Sequence, residues 1–380
     1  MSDANKHLTN PIFNDNKLKL GTFCTNAVPN ITFVPEVLHP TWANALAMAR
    51  MADEGGLEAI VPIARWKGYL DGKPNHPAND VLDAFSWGAG MAQATRYTSV
   101  FATSHAPTAH PLVVARQSAT IDAISGGRFS LNIVGGWNRR EFDMFGISLR
   151  EHDDRYAYLE EWLQVLRRLW TDPEEFDYES PNFHMKKAIS RPQPVQKGGI
   201  PIMNAGMSAT GVRFSAKNSQ IGLISLEGNG PEEWRPKVEA YKRMARDEFG
   251  REIQIWTNVS VVQRDTRKEA EDYLRRYSEE YLDTEVLDSI MSTMSKENNI
   301  PIGSELLAFM RRRMAIGAGH PLIGDAQHIA EGLEAISRAG VDGVIMTWVD
   351  YLDGVKRLVR DVLPLLEQAG LRKPFAARAS

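Results

Sequence analysis

Residues 111–137 read PLVVARQSATIDAISGGRFSLNIVGGW. Pro111 falls in a first helical turn, where its missing N–H costs nothing. The helix runs Pro111–Ile124, and Gly126-Gly127 stops it, because glycine tolerates the positive φ of a helix terminator. Phe129–Val134 follows as a strand.

The same unit recurs on both sides. Upstream lie a strand at Leu18–Thr25 and a helix at Trp42–Asp53 with Trp42, Ala45, Leu46 and Ala49 as its apolar face. Gly55-Gly56 ends that helix. Leu57–Ile63 is a strand whose apolar residues do not alternate, so it is buried on both faces. Helix Asp80–Ala94 and strand Ser99–Thr103 complete this half.

Downstream, helix Asp154–Trp170 repeats Tyr156, Leu159, Leu163, Leu166 and Trp170 at three- and four-residue steps. Strands follow at Ile200–Asn204, Ile221–Leu226, Ile253–Val262 and Gly343–Thr347. Helices follow at Ala209–Lys217, Glu232–Glu248, Lys268–Tyr281, Gln327–Ala339 and Val355–Leu366. Eight strand-like runs, most followed by a helix, predict an α/β fold of the (β/α)8 TIM-barrel type. A doubly wound open sheet is the alternative. Residues 283–325 break the pattern with polar residues, a helix through Leu306–Arg312 and the run Gly317-Ala318-Gly319-His320-Pro321. A late insertion of this kind reads as a lid. No linker divides the chain, so residues 1–380 are expected to form one domain.

Composition narrows the function. The 380 residues are 43% apolar and 24% charged, with a net charge of −4, which argues against a nucleic-acid surface. The one cysteine, Cys24, excludes an internal disulfide and clustered-cysteine metal sites. The nine histidines form no metal-spaced pair, so no metal is expected. The N-terminal stretch Met1–Lys6 lacks a signal peptide's apolar core, and no apolar run has the length of a membrane span. The expectation is a cytoplasmic protein with no membrane partner.

In such a barrel the site lies at the C-terminal strand ends. These are Ala64-Arg65, Thr103-Ser104-His105, Gly135-Gly136-Trp137, Ala205-Gly206-Met207-Ser208, Glu227-Gly228-Asn229 and Trp348-Val349-Asp350. No Walker loop, dinucleotide fingerprint, zinc-protease motif or nucleophile elbow is present, which favours a barrel whose cofactor carries the reactivity. Gly206 and Ser208 open a helix, where the backbone can approach an anion and a hydroxyl can meet it; Ser208 as a plain N-cap fits equally. Asp153 or Asp154 would cap the helix at Asp154–Trp170. Arg155 near its positive end calls for a bound anion, an ion pair with Asp153, or solvation. Asn132 inside a strand needs a partner, and Thr103 ends the neighbouring strand. His105 and His110 either polarise a substrate or are structural. Arg311-Arg312-Arg313 is a solvated helix face or a cover for an anion.

The run from Gln117 to Phe129, followed by Asn132-Ile133-Val134-Gly135-Gly136-Trp137, resembles the bacterial luciferase-like flavin monooxygenase family. Glu141-Phe142, Glu151-His152-Asp153-Asp154-Arg155-Tyr156, Ala205-Gly206-Met207-Ser208 and Val344-Ile345-Met346-Thr347-Trp348 continue the resemblance in order. It spans about residues 18–368 and is greatest with the pyrimidine monooxygenase and dimethyl sulfone monooxygenase branch. The resemblance implies a (β/α)8 barrel and a two-component flavoprotein. FMNH2 would come from a separate NAD(P)H:flavin reductase and react with O2 to oxygenate a small molecule, such as a nitrogen heterocycle or organosulfur compound. It places Ala64, Arg65, Asn132, Glu141, Arg155, Tyr156, Gly206 and Ser208 at FMN-contacting positions. Thr103 and Asn132 fall where O2 is held against the flavin, which points to an oxygen adduct at flavin N5 rather than C4a. His105 joins them as a catalytic candidate, and a homodimer or tetramer is implied. Two alternatives remain: hydride transfer with a deazaflavin, and flavin binding without catalysis. The segments 26–40, 66–69 and 283–325 depart from the pyrimidine enzymes, so substrate identity does not carry over.

Overall fold

The computed structural model describes residues 10–228, 230–297 and 300–375. Met1–Lys6 and Asn229, both noted in the sequence, lie outside the described residues, as do the side chains of His152 and Asp153.

The first half runs β1 (Lys19–Phe23), α1 (Trp42–Glu54), β2 (Ala59–Val61), α2 (Ala84–Ala94), β3 (Ser99–His105), α3 (Pro111–Ser125) and β4 (Phe129–Val134). A short α4 (Arg139–Met144) and the long α5 (His152–Thr171) follow, then an antiparallel hairpin, β5 (Phe176–Glu179) and β6 (His184–Ala188). The second half runs β7 (Ile202–Asn204), α6 (Ala209–Asn218), β8 (Ile221–Ile224), α7 (Pro231–Phe249), β9 (Gln254–Gln263), α8 (Arg267–Arg275), α9 (Thr284–Glu297) and α10 (Glu305–Ile316). It closes with β10 (His320–Gly324), α11 (Ala326–Arg338), β11 (Gly343–Thr347), α12 (Tyr351–Arg357) and α13 (Leu363–Gln368).

β1, β2, β3, β4, β7, β8, β9 and β11 pair in that order, all parallel, and β11 returns to β1. The result is a closed eight-stranded barrel, not an open sheet. β9 is long enough to serve twice. Its first half pairs with β8, and its second half, Val259–Gln263, carries β10 as an added parallel strand.

Ala59, Val61, Phe101, Met203, Trp256 and Ile345 fill the barrel interior, and Ile12 belongs to the same buried cluster. Gln254, the first residue of β9, donates to the Ile12 carbonyl at 2.8 Å, so Ile12 plugs the N-terminal end. Alternation along β3 puts Thr103 on the same inner face as Phe101, one layer nearer the open end.

Gly126 takes φ 65° and ends α3, as its sequence predicts. Elsewhere the helix boundaries move. Residues 80–83 are not helical: Val81 bridges Ala27, and Asp83 caps α2 by accepting from the Ser86 N–H at 2.8 Å. α5 starts at His152 with Glu151 as its N-cap residue, so neither Asp153 nor Asp154 is the cap. Trp42 is 47% exposed and off the buried face of α1, which is Ala45, Met48, Ala49 and Ala52. Its ring instead lies over Gly90 of α2, where a Cβ would collide with it.

The 283–325 segment holds α9, α10 and β10. α9 is fastened to the loop after β2 by His76–Asp283 at 2.9 Å and by Lys73–Glu285. It meets α4 through Arg139–Glu297 at 3.2 Å and Arg140–Thr293 at 3.2 Å.

Candidate active site

β3 and β4 bring the first group together. Thr103 and Asn132 are register partners, and the Asn132 Nδ2 donates to Thr103 Oγ1 at 3.2 Å. Thr103 in turn donates its proton to the Pro62 carbonyl at 2.5 Å. The hydroxyl therefore holds the amide, and the amide faces the mouth. Asn132 Oδ1 is buried with no hydrogen-bond partner. A strand Asn with an unmade bond is an open binding function, since buried polar groups are nearly always paired.

His105 is the last residue of β3, not a loop residue, and is 7% exposed. Burial pushes its pKa down to about 4, so its ring is neutral at neutral pH. Its Nδ1 lies 3.5 Å from Glu141 Oε2, beyond a good hydrogen bond, and is otherwise unpartnered. Glu141, on α4, accepts from the Trp66 N–H at 3.1 Å. Burial raises its pKa, against the pull of the Trp66 and Lys67 N–H groups. Glu141 thus ties α4 to the loop carrying Ala64-Arg65. Arg65 places its terminal nitrogens near the carbonyls of Ala78 and Val28, at 3.3 and 3.4 Å, and leaves Nε buried without a partner.

β7 and α5 bring the second group together. Ser208 is the N-cap of α6, its Oγ accepting from the Gly211 N–H at 3.1 Å. The Tyr156 hydroxyl also bonds Ser208. Gly206 is explained by packing: a Cβ there would lie 2.7 Å from Gly211 Cα and 2.8 Å from the Tyr156 hydroxyl. The structure thus gives Gly206 a helix-packing reason, where its sequence suggested room for an anion. Arg155 donates from Nη1 to the Gly136 carbonyl at 2.9 Å and keeps Nε buried and unpartnered. It braces the loop after β4, which joins the two groups. His110 caps α3 through Nδ1 on the Leu112 N–H at 3.2 Å, a structural role. Arg313 is held by the Gly319 carbonyl at 3.0 Å and by the Leu226 carbonyl, while Arg311 pairs with Asp288 at 2.5 Å.

A cavity of about 390 Å³ opens beside Thr103, Ser104 and His105, bounded by Ala64, Arg65 and Phe145. A second, of about 280 Å³, lies under α9 and α10 and reaches Asn258 of β9 and Thr347 of β11. Its polar residues Asn30, His76, Asn258 and Asp283 were not singled out as site residues from sequence. Among the described residues no cluster of three His, Cys, Asp or Glu side chains could hold a metal ion, and no helix is long and apolar enough to cross a membrane.

The luciferase-like monooxygenase family model matches residues 18–343. The pyrimidine monooxygenase RutA of Enterobacter cloacae is 28% identical over 358 residues, covering 92% of this chain and 96% of that protein. RutA of Shigella flexneri is 29% identical over 384 residues, covering 97% of each. Among solved structures, a long-chain alkane monooxygenase (LadA) superposes with a TM-score of 0.81 at 21% identity, covering 96% of this chain and 94% of that one. DmoA from Hyphomicrobium sulfonivorans gives 0.82 at 19% identity, covering 95% and 90%. A closed parallel barrel and a family match across most of its length lead to one conclusion: this chain is an enzyme of the luciferase-like monooxygenase family.

Proposed function

We propose that this single-domain barrel is a cytoplasmic, two-component monooxygenase that takes FMNH2 from a separate NAD(P)H:flavin reductase, uses O2, and works as a homodimer or tetramer. Its substrate is a small organic molecule of the nitrogen-heterocycle or organosulfur kind. The observation that carries this is the Thr103–Asn132 pair, an amide fixed in one orientation with its oxygen unpartnered at the barrel mouth.

The residues present fit a flavin. Asn132 Oδ1, His105 Nδ1, Arg65 Nε and Arg155 Nε are all buried near the mouth without partners. A flat ring bearing both N–H donors and carbonyl acceptors would satisfy both kinds of atom. Ala64, Arg65 and Glu141 would hold the ring side. Arg155, Tyr156, Gly206 and Ser208 would hold the phosphate side, at the positive end of α6. Reduced flavin, when bound, supplies the electrons that activate O2. The chain's own part is to orient and to exclude water. The Asn132 oxygen, fixed and unpartnered at the mouth, would accept from an N–H of the ring and hold it in register, and neutral His105 adds no competing charge.

Comparing the affinity of reduced FMN with that of a reduced deazaflavin, then admitting O2 and measuring peroxide, tests this reading. Preference for FMNH2, with peroxide falling when a substrate is present, supports it. Preference for the deazaflavin contradicts it, as does quantitative peroxide release with every substrate offered.

A further inference from the structure

The 280 Å³ cavity shares only Ile63 and Arg65 with the chamber beside Thr103. We propose that it takes an uncharged substrate with an aliphatic body and one amide or lactam edge, held by the carboxamides of Asn30 and Asn258. Calling this ligand the substrate rests on the oxygenase reading; its binding does not.

The walls set the body of the ligand. Val28, Ile31, Val34, Ile63, Val286 and Ile290 line the space, so branched aliphatic groups outnumber the aromatic ones, Phe23, Phe33 and Tyr69. Such walls favour an apolar body of matching shape, with a few polar groups fixing its orientation.

The charges set what is excluded. Asp283 is bonded to His76 Nε2 at 2.9 Å and accepts from the Val286 N–H at 3.1 Å. His76 Nδ1 accepts from the Ala78 N–H at 3.1 Å, so Nε2 is the donor to Asp283. An anionic substrate would meet the Asp283 carboxylate, while Arg65, shared with the chamber beside Thr103, has its terminal nitrogens on backbone carbonyls and only Nε free; a cation would find its carboxylate already occupied. Burying a charge without a partner is costly.

The carboxamides set the polar edge. Asn30 is 7% exposed, and its Oδ1 is buried with no partner. Gly317 makes room for it, since a Cβ there would lie 2.8 Å from Asn30 Nδ2. Asn258 shares the inner face of β9 with Trp256, lines the cavity, and has no side-chain hydrogen bond to a described residue. Each carboxamide offers both donors and an acceptor, and a ligand amide edge returns both.

The test is ligand-observed NMR titration of the purified full-length protein, without flavin or O2. The probes are ε-caprolactam, which is neutral with one lactam edge, and cyclohexanesulfonate, an anion of similar bulk. Caprolactam should bind at least about tenfold more tightly than the sulfonate. Asn258→Leu should weaken caprolactam about five- to tenfold by removing its hydrogen bonds. Ile290→Trp, which fills the cavity, should abolish binding, with circular dichroism checking that both variants fold. Equal or tighter sulfonate binding overturns the proposal, as does no caprolactam binding to the parent protein. So does caprolactam binding that both folded variants leave unchanged. Because neither flavin nor O2 is present, such a failure is separate from failure of the oxygenase reading.

Discussion

Asn132 and Thr103 stand opposite each other on β4 and β3, the amide donating to the hydroxyl at 3.2 Å while the hydroxyl donates to the Pro62 carbonyl at 2.5 Å. This chain of bonds fixes which end of the amide is which. The nitrogen faces Thr103, and the oxygen is left to the mouth. Asn132→Ala should keep the fold and lose about 1–3 kcal/mol of reduced-flavin positioning, because it removes the fixed acceptor for a ring N–H. The check is oxygenated product formed per FMNH2 consumed. Full yield in this variant removes Asn132 from the chemistry.

Thr103→Val tests orientation separately from contact. It keeps Asn132 but removes the bond that turns it. The expected result is near-normal stability with more peroxide released per flavin oxidised. Unchanged coupling of flavin oxidation to product shows that the orientation is irrelevant.

Ser208→Ala should have two effects. Loss of the α6 cap should cost about 1 kcal/mol in chemical denaturation. Reduced-flavin affinity should fall more than the turnover of flavin-saturated enzyme. Unaltered flavin affinity takes Ser208 out of the phosphate seat and leaves only the cap.

The pH dependence follows from His105. Its folded pKa, about 4, lies below its ordinary value of 6.5, so the unfolded chain binds its proton first as pH falls. Stability should therefore drop between about pH 6.5 and pH 4. Glu141 works the other way, because burial raises its pKa and acid relieves a buried charge. His105→Gln should reduce the acid-side loss by roughly 3 kcal/mol, read from denaturation midpoints at several pH values. An unchanged slope means that His105 is not the group titrating there.

At the other end of the barrel, Glu58 and Arg372 form an ion pair at 3.4 Å, both side chains nearly inaccessible. Glu58 also accepts from Asn16 at 2.6 Å and from the Leu20 N–H at 2.8 Å. Arg372→Met should destabilise the fold by about 3–5 kcal/mol, because it leaves a buried carboxylate without its cation. A change below about 1 kcal/mol in urea unfolding contradicts this.

The barrel was legible where periodicity and glycine stops agreed, as in α3, Gly126 and β4. The hairpin was not, because the alternation of Phe176–Glu179 lasts only four residues and His184–Ala188 breaks it with two exposed lysines in a row. β10 was hidden by the glycines and proline around His320, and only its register with Val259–Gln263 makes it a strand. Asn132 was legible because an amide inside an apolar strand calls for a partner. The pairing of His76 with Asp283 was not, since 207 residues separate them and only the fold of the insertion over the mouth brings them together. Asn30 and Asn258 were silent for the same reason.

The central claim is that reduced FMN is this enzyme's cofactor. An anaerobic titration of the purified protein with photoreduced FMN, run beside oxidised FMN, tests it most directly. The account predicts tight binding of the reduced form, weak binding of the oxidised form, and loss of affinity in Ser208→Ala. No binding of reduced FMN contradicts it.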